Sequence, residues 1–408
     1  MKCRHCQAKL TLSLIDLGTA PPSNAYLTQQ TLHSPEKYFP LRVLVCTECW
    51  LVQTEDYAGA DELFSADYAY FSSFSMTWLK HAEKYVADMA QRFALDKNSH
   101  IVEVAANDGY LLQYAKARGI PCLGIEPTTS TADAARAKGI EIVEAFFGVK
   151  LAQQLAAQGN QADLTTANNV LAHVPDINDF VGGFAMLLKP AGVATFEFPH
   201  LLHLVSENQF DTIYHEHYSY LSLTAVKRIF EHNGLNVFDI EELPTHGGSL
   251  RVYAQRSDTG EREANSNVVK ILEREAAVGI TASAFYTGFQ DKADRVKNDL
   301  LTFLIEAKQA GKTVAGYGAA AKGNTLLNYA GVRPDLLPYV VDRNPAKQDK
   351  FLPGCRIPIV AETHLRQTKP DYIVILPWNL REEIMVQLAY IRDWGGQFVT
   401  AVPVLEIK

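Results

Sequence analysis

The sequence has no long run of apolar residues. No apolar stretch among the 408 residues approaches the ~20 that a membrane-spanning helix needs. The N-terminus also lacks the apolar segment of a secretory signal peptide, since it opens with Met1-Lys2-Cys3 and soon meets polar residues. These absences predict a cytoplasmic protein without a membrane partner.

Positive charge is also scarce. Lys and Arg number 38 against 46 Asp and Glu, which gives a net charge of −8, and there is no long basic run. Affinity for nucleic acid comes mainly from neutralising phosphates, so the sequence predicts no nucleic-acid partner. Hydrophobic residues make up 47% and charged residues 21%, which is typical of a folded globular protein and argues against a disordered chain.

There are only six cysteines, and four of them form two Cys-x2-Cys pairs: Cys3 with Cys6, and Cys46 with Cys49. Cytoplasmic thiols stay reduced, so close pairs indicate metal or redox chemistry before disulfides. A redox pair would follow a thioredoxin-like first strand, which is absent. Four thiolates suit tetrahedral zinc and leave no open position for catalysis. We therefore predict a structural zinc site, with a small sheet that brings the two pairs together.

The rest of the chain alternates between strand-like and helix-like runs. Such alternation predicts parallel sheets covered by helices, and here it occurs twice, on either side of a charged, helix-rich stretch at 262–310. The chain is too long for a single core. We predict an α/β fold in three parts: a zinc-binding module at 1–60, a Rossmann-like unit at 61–258, and a helical linker plus a second Rossmann-like domain at 259–408.

A candidate ligand site follows the first strand of the second part. Gly109, in the turn after the strand-like run Ile101–Ala105, lets the backbone approach a ligand at the carboxyl end of the strand. The turn lacks G-x-G-x-x-G, which disfavours a dinucleotide there. Glu126 follows the next strand and is placed to accept hydrogen bonds from a ribose diol.

The ordered motifs V-E-x-x-x-N-D-G, an acid after the second strand, and N-N-V-x-x-H resemble those of Rossmann-like S-adenosylmethionine methyltransferases. This resemblance implies a methyl-donor site made by Glu103, Asn107, Asp108, Gly109, Glu126, Pro127, Asn168 and Asn169.

The centre of the chain is rich in histidine. In Tyr214-His215-Glu216-His217-Tyr218, the histidines titrate near neutrality, and a nearby carboxylate can fix a tautomer. Metal binding by His-x-His, if the segment is a strand, and burial as core groups are alternative interpretations. A catalytic role is favoured because the segment follows the donor site. A further loop, His246–Arg251, can present backbone amides to an anion or a ketone.

Together, the Cys-x2-Cys pairs, V-E-x-A-x-N-D-G-Y-L-L, N-N-V-x-A-H, Y-H-E-H-Y-S-Y-L and H-G-G-S-L-R resemble those of bacterial sugar C-methyltransferases, in the same order and over the whole chain. That family methylates nucleotide-linked 4-keto-6-deoxysugars at C-3 and has the three-part organisation described above. The resemblance implies that His217 is the base that takes the proton beside the ketone, with Glu216 orienting or charging the site. The other implied catalytic residues are His173, Tyr214 and either Tyr68 or Tyr70.

The second α/β unit carries another glycine turn, Gly316–Gly323, before a helix. Free amides at that helix start suit a pyrophosphate, and Lys322 can add charge. Asp342, which ends the next strand, can meet a ribose or a base. A sugar nucleotide, packing alone and a dinucleotide are the three interpretations, of which the first is favoured because the turn is not G-x-G-x-x-G.

The expected substrate-binding residues are His246, Gly248, Ser249, Arg251, Gly318, Lys322 and Asp342. The expected cofactors are S-adenosylmethionine and structural zinc. The expected partner is a nucleotide-linked sugar, with TDP preferred over GDP or CDP, bound by a monomer or weak oligomer. Two other functions stay open: an NAD-dependent sugar-nucleotide oxidoreductase and a non-catalytic zinc scaffold.

Overall fold

The N-terminal module is built on a small antiparallel sheet. A computed structural model of the chain describes residues 1–57 and 71–408. The sheet runs in the order β1-β2-β3-β9, where the strands are β1 (Leu12–Ala20), β2 (Phe39–Val45), β3 (Val52–Thr54) and β9 (Ser219–Tyr220). The last of these comes from the second part of the chain. A strand from the central unit therefore completes the N-terminal sheet.

The central unit is a seven-stranded sheet in the order β10-β11-β8-β7-β4-β5-β6. Strands β4 to β8 run parallel, and β11 is antiparallel to both of its neighbours. The parallel strands are almost continuously apolar because helices cover both faces. The strands are β4 (Ile101–Val104), β5 (Cys122–Ile125), β6 (Glu141–Val143), β7 (Ala162–Asn168), β8 (Leu188–Pro199), β10 (Leu235–Leu243) and β11 (Ser249–Arg256).

Helices that begin at polar capping residues surround this sheet. The side chains of Ser75, Asp176 and Ser222 each accept a backbone N–H of the helix that follows, which satisfies donors that helix starts leave unpaired. The helices are α1 (Met76–Arg92), α2 (Leu112–Ala117), α3 (Thr129–Ala137), α4 (Val149–Ala157), α5 (Ile177–Leu187), α6 (Leu201–Ser206) and α7 (Leu223–His232).

The charged stretch at 262–310 is helical, as its composition predicts. It forms α8 (Ser266–Ala277), the short α9 (Ser283–Tyr286) and α10 (Phe289–Gln309). The apolar positions of α10 recur at helical spacing and are buried at Phe289, Ala293, Val296 and Leu300. This helix leads directly to the first strand of the C-terminal unit.

The C-terminal unit is a six-stranded sheet in the order β14-β13-β12-β15-β16-β17, parallel except for the last strand. Its strands are β12 (Val314–Tyr317), β13 (Val340–Val341), β14 (Ile359–Val360), β15 (Tyr372–Ile375), β16 (Gln397–Thr400) and β17 (Glu406–Ile407). Its helices are α11 (Ala321–Tyr329), α12 (Thr363–Thr368) and α13 (Arg381–Gln387). The second strand–helix alternation that the sequence predicts is present.

One apolar core joins all three parts. Val43 of β2, Leu201 of α6, Phe289 of α10 and Val340 of β13 belong to a single buried cluster. Other buried clusters lie within one unit, such as the one that contains Ala315, Ile373 and Phe398 of the C-terminal sheet. The divisions near residues 60 and 258 stay predictions of where domains begin and end.

Candidate functional site

The four cysteines of the N-terminal module meet at one point. Their ligand atoms all lie within 4.8 Å of one another, and the Sγ–Sγ distances are 3.5 Å for Cys3 with Cys49 and for Cys6 with Cys46. Four sulfurs at Zn–S bonds of about 2.3 Å form a tetrahedron with edges of about 3.8 Å, so the arrangement fits zinc. Nε2 of Gln53 donates a hydrogen bond to the Cys3 sulfur, and hydrogen bonds of this kind orient metal ligands in proteins.

At the carboxyl edge of the central sheet, Glu126 links the turns after β4 and β5. Its Oε2 accepts the backbone N–H of Asn107 at 2.9 Å, and its Oε1 accepts that of Thr128 at 3.0 Å. Each carboxylate oxygen retains a lone pair for another donor. Burial raises the pKa of Glu126, while these backbone hydrogen bonds oppose the rise. Pro127 directly follows this carboxylate and carries the chain into α3.

The turn after β4 needs glycine at one position. Gly109 has a φ of +73°, and a Cβ on it would lie 2.4 Å from Cδ1 of Ile140. Asp108 is buried and lies 3.4 Å from the ammonium group of Lys138. Glu103, which lies within β4, is also buried, and burial raises its pKa well above the usual range. The turn is thus tightly packed at Gly109, and it lies next to two buried carboxyl groups.

The end of β7 lies on the same edge of the sheet. Asn168 accepts a hydrogen bond from the Thr166 hydroxyl. Asn169 adopts a φ of +54°, its backbone N–H donates to the carbonyl of Glu197, and its side chain contacts Nε2 of His246 at 3.3 Å. The structure thus brings the predicted donor residues of β4, β5 and β7 to one edge, and the His246 loop reaches that edge.

The histidine-rich segment forms a turn, where the sequence analysis considered an extended strand. The backbone N–H of His217 donates to the carbonyl of Tyr214 at 2.9 Å. His215 points toward the N-terminal module, where its ring packs on Phe39 and its Nε2 contacts the Phe39 carbonyl. Its partner His217 points elsewhere, so the pair does not form a His-x-His metal site. We call Tyr214–Tyr218 the catalytic turn.

His217 is held in one tautomer by a backbone group. Its Nδ1 donates to the carbonyl of Thr212 at 2.7 Å, which leaves Nε2 without a proton in the neutral ring. Burial, together with neighbouring His173, lowers the pKa of His217 well below its usual value. The ring is therefore neutral at pH 7 and able to accept a proton. The group bound to Nδ1 of His217 is the Thr212 carbonyl and not the Glu216 carboxylate, so of the two roles expected for Glu216, orienting or charging the site, the orienting one is not seen at this ring.

The other predicted catalytic residues surround that ring. The Tyr214 and His173 rings lie 3.9 Å and 4.6 Å from it between centroids. Nδ1 of His173 donates to the backbone carbonyl of Glu216 at 2.8 Å, and burial lowers the pKa of His173 to about 4. The Glu216 side chain turns toward the N-terminal module, and burial raises its pKa to about 6. Tyr68 and Tyr70 lie outside the described residues.

The loop that contains His246 packs against α1 and α6. His246 has a φ of +56°, and its ring meets the Trp78 ring edge-on, with centroids 5.5 Å apart. Burial lowers the pKa of His246 to about 4, and the charge of Lys322 acts in the same direction. Gly248 has a φ of +109°, and a Cβ on it would lie 2.6 Å from the His203 ring. The loop conformation therefore requires glycine.

Two residues of this loop are engaged within the chain. The Ser249 hydroxyl donates to the Thr245 carbonyl at 2.9 Å. Arg251 is buried and pairs with Glu197 at 3.0 Å and with Glu241 at 2.9 Å. Through these bonds, the Ser249 and Arg251 side chains stabilise the conformation of the loop. Glu197 also binds His81 and the Thr245 hydroxyl, so it anchors the loop and α1 together.

The glycine turn of the C-terminal unit is braced by Asp342. Its two carboxylate oxygens accept the backbone N–H groups of Ala319 and Asn344, each at 2.8 Å. Gly318 has a φ of +88°, and a Cβ there would lie 2.5 Å from Cδ of Pro377. Asp342 thus shapes the turn, a role that disfavours the dinucleotide interpretation, in which such an acid binds a ribose.

Lys322 of the C-terminal unit lies near the histidines His217 and His246. Its ammonium group donates to Asn379 at 2.7 Å and lies 4.7 Å above the Trp378 ring. Burial lowers the pKa of Lys322, and the charge of Asp211 opposes this. The charge of Lys322 in turn acts on the pKa of both His217 and His246. An amine and several neutral imidazoles therefore share one buried site.

Several residues of this site do not belong to any motif that could be recognised in the sequence. Thr212 acts through its backbone carbonyl, and Trp378 donates to Asp211 at 2.8 Å across more than 160 residues of chain. Asn24 of the N-terminal module donates to Glu216 at 3.1 Å. Glu197 did leave a signal, because it is a charge inside an otherwise apolar strand. A buried carboxylate in such a strand must be paired.

Three family models match successive parts of the chain. A putative zinc binding domain matches residues 3–64, a methyltransferase domain matches residues 78–240, and a C-methyltransferase C-terminal domain matches residues 244–403. The C-methyltransferase NovU of Streptomyces niveus is 33% identical over 402 residues, which cover 98% of this chain and 95% of that protein.

The structural comparisons give weaker likenesses. Magnesium protoporphyrin IX methyltransferase from Synechocystis PCC 6803, solved with bound SAM, is 17% identical, with a TM-score of 0.34 over 44% of this chain and 79% of that one. The PH0226 protein from Pyrococcus horikoshii OT3 is 12% identical, with a TM-score of 0.38 over 46% and 95%.

No helix within residues 1–57 and 71–408 has both the length and the apolar character to cross a bilayer. The relative and the family models together extend over nearly the whole chain, from the cysteine cluster to the last strands. The chain therefore belongs to the C-methyltransferase family with an N-terminal zinc-binding domain.

Proposed function

We propose that the protein transfers a methyl group from S-adenosylmethionine to C-3 of a nucleotide-linked 4-keto-6-deoxysugar and so makes a branched sugar. The family and the likeness to NovU support carbon methylation. The observation that carries the proposal is the neutral His217 ring, with Nδ1 bound to the Thr212 carbonyl and Nε2 left to accept a proton. A carbon beside a ketone is acidic enough for such a base.

The donor is assigned to the carboxyl edge of β4, β5 and β7. Gly109 permits close backbone approach, and Glu126 is already oriented by two backbone amides, so its spare lone pairs can accept the ribose hydroxyls. Glu103 and Asp108 lie beside this turn, where carboxyl groups can meet the amino group of the methionine portion. S-adenosylmethionine supplies a methyl group that is already electrophilic, so carbon attack needs no catalytic metal.

The chain supplies the proton transfer and the stabilisation of charge. His217 takes the proton from C-3, and the electron pair left behind is delocalised onto the ketone oxygen. The Tyr214 hydroxyl and the Lys322 ammonium group are assigned to stabilise that oxygen; in support, the Tyr214 ring packs on His217 and the charge of Lys322 acts on the pKa of His217. His173, fixed by its bond to the Glu216 carbonyl, is assigned a position between the sugar and the donor. Burial excludes water and strengthens each of these interactions.

The C-terminal unit is assigned to the nucleotide. The start of α11 follows the glycine turn that Asp342 braces, and free N–H groups at a helix start favour phosphate. TDP is the preferred nucleotide, with GDP and CDP as alternatives. Labelled S-adenosylmethionine and 4-ketosugars linked to each of these three nucleotides should give radioactive product with one of them. No product with any of the three would refute the assigned substrate class.

The role of His217 is tested separately from binding. His217→Ala should bind both ligands nearly as the wild type does, yet lose about 10²–10⁴-fold in turnover. In D2O, the wild type with a donor analogue that lacks the methyl group should exchange the C-3 proton of the sugar, and His217→Ala should not.

His215→Ala is the matched control, since that ring faces Phe39 and the N-terminal module. This variant should lose stability and still exchange the proton. Exchange that persists in His217→Ala and disappears in His215→Ala would assign the base to the other histidine.

A further inference from the structure

We infer that Asn24, on a loop of the N-terminal module, is a positioning residue of the active site that holds the Glu216 carboxyl group in place for the reaction. This inference rests on the proposed function. Nδ2 of Asn24 donates to Oε1 of Glu216 at 3.1 Å. The other oxygen, Oε2, is buried and has no hydrogen-bond partner among the described residues. One oxygen is thus fixed, and the other is left to accept a hydroxyl of the sugar.

The orientation of the Asn24 amide is set by its surroundings. A carboxylate can only accept, so the NH2 group must face Glu216 and the carbonyl must face away. That carbonyl lies 3.4 Å from the Tyr26 hydroxyl, whose proton goes to the backbone carbonyl of Ala319 at 2.7 Å. Tyr26 therefore connects the loop to the glycine turn of the C-terminal unit, and Asn24 connects it to the catalytic turn.

Other residues of the N-terminal module contact the backbone of this turn and of the strand that follows it. The Thr54 hydroxyl donates to the backbone carbonyl of His217 at 3.1 Å, and strand β3 pairs with β9 directly after the turn. Those contacts hold the backbone in place. Asn24 instead acts on an ionisable side chain, so its loss should change the chemistry of that side chain as well as the stability of the fold.

The titration of Glu216 gives a specific readout. Burial raises its pKa to about 6, and hydrogen bonds from the Glu216 backbone, the Asn24 side chain and the Asn24 backbone oppose this by favouring the ionised form; Asn24→Ala removes the second of these. Removing Asn24 should therefore raise the pKa further. Among the described residues, the titratable groups that face Glu216 are Tyr26 and Tyr220, and burial raises the pKa of both, so they stay neutral near pH 6. Asp211 also titrates near pH 6, but its hydrogen-bond partner is Trp378 and not Asn24.

The test is the pH dependence of kcat/KM in Asn24→Ala, with donor and sugar nucleotide both supplied. We expect a loss of about 10- to 100-fold at pH 6.5, in keeping with a hydrogen bond to a charged group. Part of the loss should be recovered at higher pH, because the acidic limb of the profile moves upward with the pKa of Glu216. Asn24→Ser, one bond too short to reach Glu216, should give the same shift if the alanine variant does not fold.

Asn178→Ala is the matched control. Asn178 exchanges hydrogen bonds with His5 across the same interface, away from the catalytic turn. It should lower the melting temperature and leave the pH profile in place. An Asn24→Ala profile that keeps the wild-type acidic limb would overturn the inference, whether or not kcat falls. If the wild type methylates none of the 4-ketosugars, the proposed function fails instead, and the same pH shift in sugar-nucleotide binding, measured by calorimetry, still tests Asn24.

Discussion

At the residue scale, backbone carbonyls control the protonation of the central histidines. Nδ1 of His217 binds the Thr212 carbonyl and Nδ1 of His173 binds the Glu216 carbonyl, so in both rings the proton sits on the nitrogen turned toward the main chain. Burial lowers the pKa of both. These rings are therefore neutral over the physiological range, with the proton on Nδ1 in each.

Glu126→Gln tests the donor assignment at the same scale. The amide that replaces one carboxylate oxygen would face a backbone N–H of Asn107 or Thr128, donor against donor. An unsatisfied buried donor costs about 1–3 kcal/mol. We expect affinity for S-adenosylmethionine, measured by calorimetry, to fall about 10- to 100-fold, with a much smaller effect on the sugar nucleotide.

Glu144→Gln serves as the comparison for that variant. Glu144 follows the next strand of the same sheet, where it binds Thr129 and Arg136 near the surface. Donor affinity should be unchanged in it. Equal losses of affinity for both ligands in Glu126→Gln would show that Glu126 only supports the fold.

At the element scale, the loop between β10 and β11 depends on glycine. Gly247 has a φ of +88°, and a Cβ on it would lie 2.5 Å from the Trp378 ring and 2.8 Å from Nε2 of Gln209. Gly247→Ala should therefore push the His246 loop away from the C-terminal unit. We expect KM for the sugar nucleotide to rise about tenfold or more, measured by steady-state kinetics.

Gly311→Ala is the control that separates the effect of backbone strain from that of displacing the His246 loop. Gly311 also has a positive φ, of +69°, but a Cβ there would meet nothing within 4 Å. Both variants should lose stability through the unfavourable backbone angle, by about 1–3 kcal/mol. If KM rises equally in both, the steric account of the His246 loop is wrong.

The sequence predicted elements better than it predicted contacts between them. Strands β4, β5, β7 and β12 follow from short apolar runs that end in glycine or polar turns, because burial on both faces leaves a local pattern. The catalytic turn could not be recognised as a turn, since its shape depends on Thr54 and Phe39 from another module. Asn24 carried no local signal for the same reason.

At the scale of the whole molecule, one buried cluster joins the three sheets, and Cys3, Cys46 and Cys49 of the zinc site belong to a second cluster that the N-terminal module shares with the central sheet. Cys46→Ser should remove about one equivalent of zinc per chain, measured by metal analysis. Because β9 completes the zinc-bearing sheet, the loss should reach the catalytic turn as well. We expect a lower melting temperature, a lower kcat, and unfolding of the N-terminal module together with the central unit in one calorimetric transition, because the zinc cysteines pack in the same buried cluster as the central sheet.

Cys122→Ser is the control, because Cys122 lies in β5, away from the metal cluster. It should retain zinc and activity. Cys46→Ser protein that is free of metal yet fully active would show that zinc is dispensable. A separate low-temperature transition for the N-terminal module would show that the module unfolds independently of the core.

The pairing of β3 with β9 also constrains recombination between related enzymes. A chimaera that exchanges residues 1–57 for those of a homologue replaces Thr54 and Asn24 together, along with three of the four strands of the sheet that supports the catalytic turn. The crossover therefore separates Asn24 and Thr54 from the catalytic turn with which they form hydrogen bonds. Swaps intended to change only the sugar specificity should therefore keep the N-terminal module and residues 214–220 from the same parent.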